Sequence, residues 1–326
     1  MQATFWNAPV RAVVLGALLL LSSALSAQEW PNKPVRIIVP FPPGQGADII
    51  GRLVAERLTV ALGQQVLVEN RPGAGSMAGT AYAAKTPADG YTFLIGGTSA
   101  MVINPHLYSK LEYTLQDFTP ITNIASLPMV ICVTPSLPVQ SIQDLIKLAN
   151  QRPNELAYGS SGNGSSHHLV QALFAATAEI QIVHVPYKGS VASMTDLVGG
   201  RISMLADTLP AVLPHVRSGK VRAIGITSSK RSPFYPELPT LDEQGLPGFE
   251  ATAWAGFFAP AGTPTPILQR LNNEVVNALK TPEMQKRFQD LAMPTIGDTR
   301  ADFEVFLNSE YARWGKAVRL SGAKID

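Results

Sequence analysis

The chain has 326 residues, of which 15% are charged, and its 26 Lys and Arg against 24 Asp and Glu give a net charge of +2. Charges so sparse and so mixed in sign exclude the clustered basic face that a nucleic-acid partner requires. A single cysteine, Cys132, excludes an internal disulfide, so an exported form must be held by its core, and this length suffices to build one or two lobes.

Residues 1–11 carry one positive charge, Arg11, and no acid; 12–25 is almost unbroken apolar sequence; Ser22, Ser23, Ala24, Ser26 and Ala27 make a small-residue zone. That order predicts a cleavable secretory signal peptide over 1–27, cut after Ala27, or after Ser26 because Leu25 is imperfect at the third position back. The apolar run falls short of the roughly 20 residues that span a bilayer. Cys132 lies too far from the cleavage zone for a lipoprotein anchor. Cleavage removes Arg11 alone among the charged residues and leaves a net charge of +1 (25 − 24).

From there, strand-like and helix-like stretches alternate, the pattern of an α/β protein with mostly parallel sheets. Residues 35–39 read as a strand; Pro42, Pro43, Gly44 and Gly46 break it; 47–62 places Ile50, Leu53, Val54, Leu58 and Leu62 at helical spacing, and Gly63 ends the helix. A second strand is expected over 65–69, a glycine-rich loop over 72–79 and a third strand over 92–95. The middle of the chain repeats the alternation: strand 129–134, helix 142–150, a glycine- and serine-rich loop at 159–164, helix 165–178, strand 182–185, helix 192–198, and strands 202–205 and 223–227. Proline-rich 230–247 reads as a surface connection. A strand over 254–259 and helices over 266–279, 282–291 and 300–320 close the chain. Cys132, in an apolar strand, reads as a buried thiol.

The chemistry is expected at the strand-to-helix loops, because ligands of open parallel sheets bind beside the carboxyl ends of strands. Phe41-Pro42-Pro43-Gly44-Gln45-Gly46-Ala47-Asp48 runs straight into a helix, so its amides point out at the positive end of the helix dipole. It reads either as an anion site or as a tight turn in which Asp48 favours the dipole. In the second loop, Ser160, Ser161, Asn163, Ser165 and Ser166 can bind a carboxylate without a fixed charge, or one of them can cap the helix.

Enzyme readings fail on spacing. Gly159-Ser160-Ser161-Gly162 is one position short of a nucleophile elbow. His167 and His168 are adjacent, about 100° apart on a helix, and cannot share a metal as an i, i+4 pair does. His167 reads as a loop or helix-start contact and His168 as packing. Gly73-Ala74-Gly75-Ser76-Met77-Ala78-Gly79 resembles a dinucleotide fingerprint, but Asp89, where a ribose-binding acid is wanted, lies in a turn before the next strand. Neither a cofactor nor a metal is expected.

In order along the chain, Trp30-Pro31-Asn32-Lys33-Pro34-Val35-Arg36, Val39-Pro40-Phe41-Pro42-Pro43-Gly44, Val68-Glu69-Asn70-Arg71-Pro72-Gly73-Ala74-Gly75, Pro87-Ala88-Asp89-Gly90-Tyr91-Thr92, Asp117-Phe118-Thr119-Pro120-Ile121, His184-Val185-Pro186-Tyr187-Lys188-Gly189, Asp196-Leu197-Val198-Gly199-Gly200, and Trp254 and Gly256 before Ala259-Pro260-Ala261-Gly262-Thr263-Pro264 together resemble the Bug family. These are the TctC-type extracytoplasmic receptors of tripartite tricarboxylate transporters. The resemblance implies an α/β, two-lobed fold similar to type II periplasmic binding proteins, with lobe 1 over 28–123 and 226–326 and lobe 2 over 124–225. It further implies a monomeric, periplasmic, non-enzymatic receptor that closes on a small carboxylate and passes it transiently to membrane subunits.

In that family the loops matching 41–48 and 160–167 grip the carboxylate, partly through ordered water. Carried over, the binding residues are Phe41, Pro42, Pro43, Gly44, Gln45 and Asp48 in the first loop and Ser160, Gly162, Asn163, Gly164, Ser166 and His167 in the second. Thr98, Ser99 and Ala100, with Tyr187 and Asp207, shape the rest of the cleft. Gln45 stands where the family usually has a second glycine, which adds a donor at the mouth or narrows it. Asp207 favours an amine or hydroxyl at the distal end of the ligand. A ligand-sensing partner of a signalling system and a periplasmic hydrolase are the alternative roles.

Overall fold

The computed structural model describes residues 30–321, so the predicted signal peptide lies outside the described residues. The first half lays down β1 (Val35–Val39), α1 (Gly46–Leu62), β2 (Val66–Asn70), α2 (Met77–Ala84), β3 (Thr92–Gly97), a π-helical turn over Ser99–Ile103 and β4 (Phe118–Leu127). The middle lays down β5 (Met129–Val133), α3 (Ile142–Gln151), β6 (Ala157–Ser160), α4 (Ser166–Thr177), β7 (Val183–Pro186), α5 (Ser190–Val198), β8 (Met204–Thr208), α6 (Leu209–Arg217) and β9 (Arg222–Ile226). The chain then returns through β10 (Ala253–Pro260), α7 (Thr265–Lys280), α8 (Pro282–Asp290) and α9 (Arg300–Ser321).

Two five-stranded sheets result, ordered β2-β1-β3-β10-β4 and β7-β6-β8-β5-β9, one per lobe. Each holds one strand that runs against its neighbours. β10 pairs antiparallel with β3 and β4, and β5 with β8 and β9, so the sheets are mixed rather than mostly parallel. Both reversed strands follow a crossing of the chain between lobes, and a strand that arrives from the opposite lobe enters its sheet in the opposite sense.

Local sequence explains most elements. β1 buries four of its five side chains, as an apolar strand covered on both faces must. Gly63 ends α1 at φ 66°, a conformation that glycine adopts without a Cβ clash. Ser141 caps α3 by accepting the Asp144 N–H at 3.1 Å, a contact that contributes about 1 kcal/mol.

Four elements lie outside the expected pattern. β4 contains Pro120, a residue tolerated there because β4 is an edge strand. α6 carries Pro214 in its interior and a second proline in its first turn, which breaks the helical signature in the sequence. α2 is too short and alanine-rich to give a periodic signal, and β6 ends in Gly159-Ser160. β8 begins two residues later than expected and takes in Asp207 and Thr208, both buried. Nor is 230–247 a purely surface connection, since Leu238, Leu241 and Leu246 are buried.

The lobes are joined at Pro128, between β4 and β5, and by the segment between β9 and β10. Thr227 ties the two crossings together. Its hydroxyl donates to the Ala251 carbonyl at 2.8 Å and accepts the Met129 N–H at 3.2 Å, while its carbonyl takes the Ala251 N–H at 2.9 Å. α9 spans both lobes, packing against β4, the Ser99–Ile103 turn and α4. Its Phe303 and Trp314 join Phe93, Phe257 and Phe258 in the core. Among the described residues, no helix is long and apolar enough to cross a membrane.

Candidate functional site

β1 and β3 of one sheet, and β6, β7 and β8 of the other, are parallel within their sheets. The loops at their carboxyl ends meet in the gap between the lobes. An inner cavity of about 50 Å³ and an outer one of about 760 Å³ occupy that gap, and both are lined by Phe41, Gln45 and Ser99. The loops therefore face a common space, and that space is not filled by side chains.

Four helices begin at the inner cavity, whose lining includes Gly46 and Ala47 of α1, Ser166 and His167 of α4, Ser190 of α5, and Thr208 and Ala211 at the start of α6. A helix start presents unpaired amides and a partial positive charge, so four together make a field that favours an anion. Among the described residues, no Lys or Arg lines the inner cavity, and Lys188 is the one basic residue lining the outer. The helices differ in how far this field is already answered. α1 carries Asp48 in its first turn, and Asp207 sits just before α6 and accepts the Thr208 N–H at 2.7 Å. α4 and α5 have no acid in the first turn, and Gly189 offers α5 no capping side chain. Of the four ends, these two are the ones that no acid neutralises.

At the start of α4, Ser165 accepts the His168 N–H at 3.2 Å, and Ser99, from the opposite lobe, accepts the Ser166 N–H at 2.8 Å. Both ring nitrogens of His167 are engaged, Nδ1 with Ser161 Oγ at 2.8 Å and Nε2 with Asp207 Oδ1 at 2.9 Å. Gln45 lies against the other lobe, its Nε2 donating to Ser190 Oγ at 3.4 Å. It thus adds a donor and narrows the passage between the cavities. The hydroxyl of Tyr187 donates to Asp196 at 2.8 Å, and Arg201 holds the same carboxylate at 2.5 Å.

Of the expected binding residues, Phe41, Pro42, Gln45, Thr98, Ser99, Gly162, Asn163, Ser166, His167, Tyr187 and Asp207 line one or both cavities. Pro43, Gly44, Asp48, Ala100, Ser160 and Gly164 do not. Asp48 supports the first loop from behind, accepting the Gly44 N–H at 2.9 Å, Asn70 Nδ2 at 2.8 Å and Arg52 Nε at 3.0 Å. Burial alone would push its carboxyl up, yet these hydrogen bonds, Arg52 foremost, hold it below its ordinary value. Ala100 is fully buried in the π-helical turn.

Ser160 is 1% exposed. Its Oγ meets His184 Nε2 at 2.6 Å, and the His184 ring stacks on His168 with centroids 3.9 Å apart and planes within 6°. Burial pushes His168 down to about 3, with His184 adding repulsion, and pushes His184 down to about 4. These are neutral packed rings. Cys132 is fully buried on β5, where desolvation drives its thiol pKa upward.

Several lining residues were not among the expected contacts: Ser190 at the start of α5 and Thr208 and Ala211 at the start of α6 are three, and two further wall segments add to them. The turn after β2 contributes Pro72 and Gly73 to Ser76 to the outer cavity, and Trp254, on β10, closes the inner one. The first follows the same rule as the other loops, since it leaves the carboxyl end of a strand. Trp254 carried no comparable signal, because β10 enters its sheet reversed and meets the site with its starting end.

The sequence matches the family described as "Tripartite tricarboxylate transporter family receptor" (TctC) over residues 50–322. The structure of R. palustris Rpa4515 with adipate is similar to this chain at TM-score 0.86 and 39% identity, covering 91% of this chain and 100% of that one. The periplasmic binding protein BugD gives TM-score 0.85 and 30% identity, covering 90% and 99%. MatC from Rhodopseudomonas palustris, with bound malate, gives TM-score 0.84 and 29% identity, covering 89% and 100%.

Proposed function

The chain belongs to the TctC family of tripartite tricarboxylate transporter receptors, which are solute-binding proteins, and from that membership we propose that it captures a small carboxylate between its lobes in the periplasm. The carrying observation is the meeting of four helix starts at an inner cavity that, among the described residues, no Lys or Arg lines. Neutral amides and hydroxyls receive the carboxylate chiefly at α4 and α5, whose positive ends no acid has already answered. The rest of the ligand occupies the outer cavity, against Phe41, Pro42 and Tyr187. Similar proteins holding adipate and malate support the ligand class.

The lobe boundaries fall at the crossings rather than at the expected 123/124 and 225/226, because β4 runs to Leu127 and β9 to Ile226: one lobe comprises 30–127 with 253–321, the other 129–226, and the paired crossings at Thr227 serve as the hinge. A ligand touching both lobes favours the closed form, which is the form presented to the membrane subunits of a tripartite transporter. The protein acts as a monomer and leaves its ligand chemically unchanged. Burial of Ser160 beneath the loop and, among the described residues, the lack of a histidine hydrogen-bonded to Ser166 argue against either serine as a nucleophile.

The test is native mass spectrometry of protein purified without refolding, followed by thermal-shift screening of dicarboxylates, hydroxy acids, aromatic acids and amino acids. A cognate acid at 100 times its Kd stabilises the folded state by about 2.7 kcal/mol, a rise of several degrees in Tm. If only uncharged solutes or amines without a carboxylate raise Tm, the role proposed here is wrong.

A further inference from the structure

We infer that Glu310, on α9, is a positioning residue that fixes the indole of Trp254 as one wall of the inner cavity. The inference deepens the receptor role and rests on it for its effect on affinity. Glu310 is 3% exposed, and its Oε2 accepts two indole N–H groups, Trp254 Nε1 at 3.0 Å and Trp314 Nε1 at 3.1 Å. Its Oε1 receives Arg313 at 2.7 Å, and Arg313 also reaches Glu250, in the crossing segment before β10, at 3.2 Å.

Two features make this node positional rather than merely stabilising. A buried carboxylate and its partner lose solvation that a packed apolar pair would not, so net stability is a weak reason for placing one here. Two buried indole N–H groups do need an acceptor, and one oxygen facing both fixes both rings. Trp254 is held on its other sides as well. Thr98 Oγ1 accepts its backbone N–H at 3.0 Å, and Phe303 and Phe306 meet its ring edge-on, with centroids 5.9 and 5.6 Å away. With its N–H committed to Glu310, the indole offers the cavity carbon alone. α9 also packs against α4 and the Ser99–Ile103 turn. A single helix therefore sets the ring and backs two of the elements whose starts receive the carboxylate.

The experiment follows the Trp254 indole ¹⁵N–H resonance of the mature protein, assigned through Trp254→Phe, together with its hydrogen exchange and a titration with potassium acetate. Glu310→Ala is expected to shift the resonance, accelerate its exchange more than about tenfold and weaken acetate binding about tenfold. Glu310→Gln, which keeps the acceptor oxygen, is expected to stay within about twofold of wild type in both. In a Trp254→Phe background the effect of Glu310→Ala on affinity is expected to vanish. Arg313→Met, which leaves the acceptor but frees it, gives a smaller shift in the same direction and serves if Glu310→Ala does not fold.

An unchanged Trp254 resonance and exchange rate in Glu310→Ala, or, if that variant does not fold, in Arg313→Met, overturns the inference, as does an undiminished affinity effect in the Trp254→Phe background. Acetate that moves neither the indole nor any inner-cavity amide of the wild type overturns the carboxylate site instead. The exchange rates then still decide the role of Glu310.

Discussion

Ser99 Oγ accepts the Ser166 N–H across the gap at 2.8 Å, so a hydroxyl from one lobe sits on the first amide of α4 in the other. The bond joins the lobes at the helix start proposed to receive the carboxylate. Ser99→Ala removes both this link and a ligand donor. A hydrogen bond of this kind contributes about 1 kcal/mol net, so the variant is expected to bind its acid roughly fivefold more weakly. Isothermal titration measures this, and unchanged affinity would mean that the lobes close without it.

Gly75 marks another place where the lobes touch. A Cβ there would lie 2.7 Å from the Asn163 carbonyl oxygen, and the residue has φ +59°. Gly75→Ala should therefore hold the lobes apart, weakening binding by more than about tenfold while costing only about 1 kcal/mol of stability. Small-angle scattering with saturating ligand is the check: a variant that contracts as fully as wild type does not fit.

The stacked pair His168 and His184 makes stability depend on pH. Both are held neutral by burial, down to about 3 and about 4, against an ordinary value of 6.5. Above pH 6.5 neither the folded nor the unfolded chain binds these protons. As pH falls from 6.5 toward 4 the unfolded chain takes them up and the folded one does not, so stability is lost through that window, chiefly through His168, the more buried of the two. Thermal melts between pH 7 and 4 should show Tm falling, and His168→Asn should flatten the slope. A Tm that holds steady to pH 4 contradicts the neutral-pair account.

Much of this site was legible in the sequence, because backbone chemistry leaves a local signature. Glycines, prolines and serines between an apolar strand and a periodic helix mark a strand-to-helix loop wherever they occur, and the loops over 41–48 and 160–167, each of which contributes residues to a cavity, were found that way. Side-chain roles were less legible. Asp48 and Ser160 carry the residue types of ligand contacts, yet face Arg52 and Asn70 in one case and His184 in the other. Trp254 enters from a strand whose direction is set by the lobe crossing, and the buried Glu310 behind it lies 56 residues further on, a pairing that no local pattern carries. β4 and α6 were missed for a related reason: edge position and a helix's first turn tolerate prolines that a local reading treats as breaks.

Asp207 lies at the inner cavity with the carboxylate, not at the ligand's distal end as expected, because β8 carries it to the start of α6. Beside His167, at about 5 Å, it would oppose the bound carboxylate by about 3 kcal/mol at an effective dielectric of 20. Asp207→Asn is expected to tighten monocarboxylates and dicarboxylates alike by about tenfold or more. Isothermal titration gives the change, and an unchanged affinity removes Asp207 from the field at the carboxylate.

The most direct measurement is a crystal structure of the protein with its retained or cognate acid. The account predicts the carboxylate in the inner cavity, with oxygens about 3 Å from amides or hydroxyls at Ser166, Ser190 and Ser99. A carboxylate found instead beside Lys188 at the outer cavity, with the ligand's apolar body turned toward the helix starts, would contradict it.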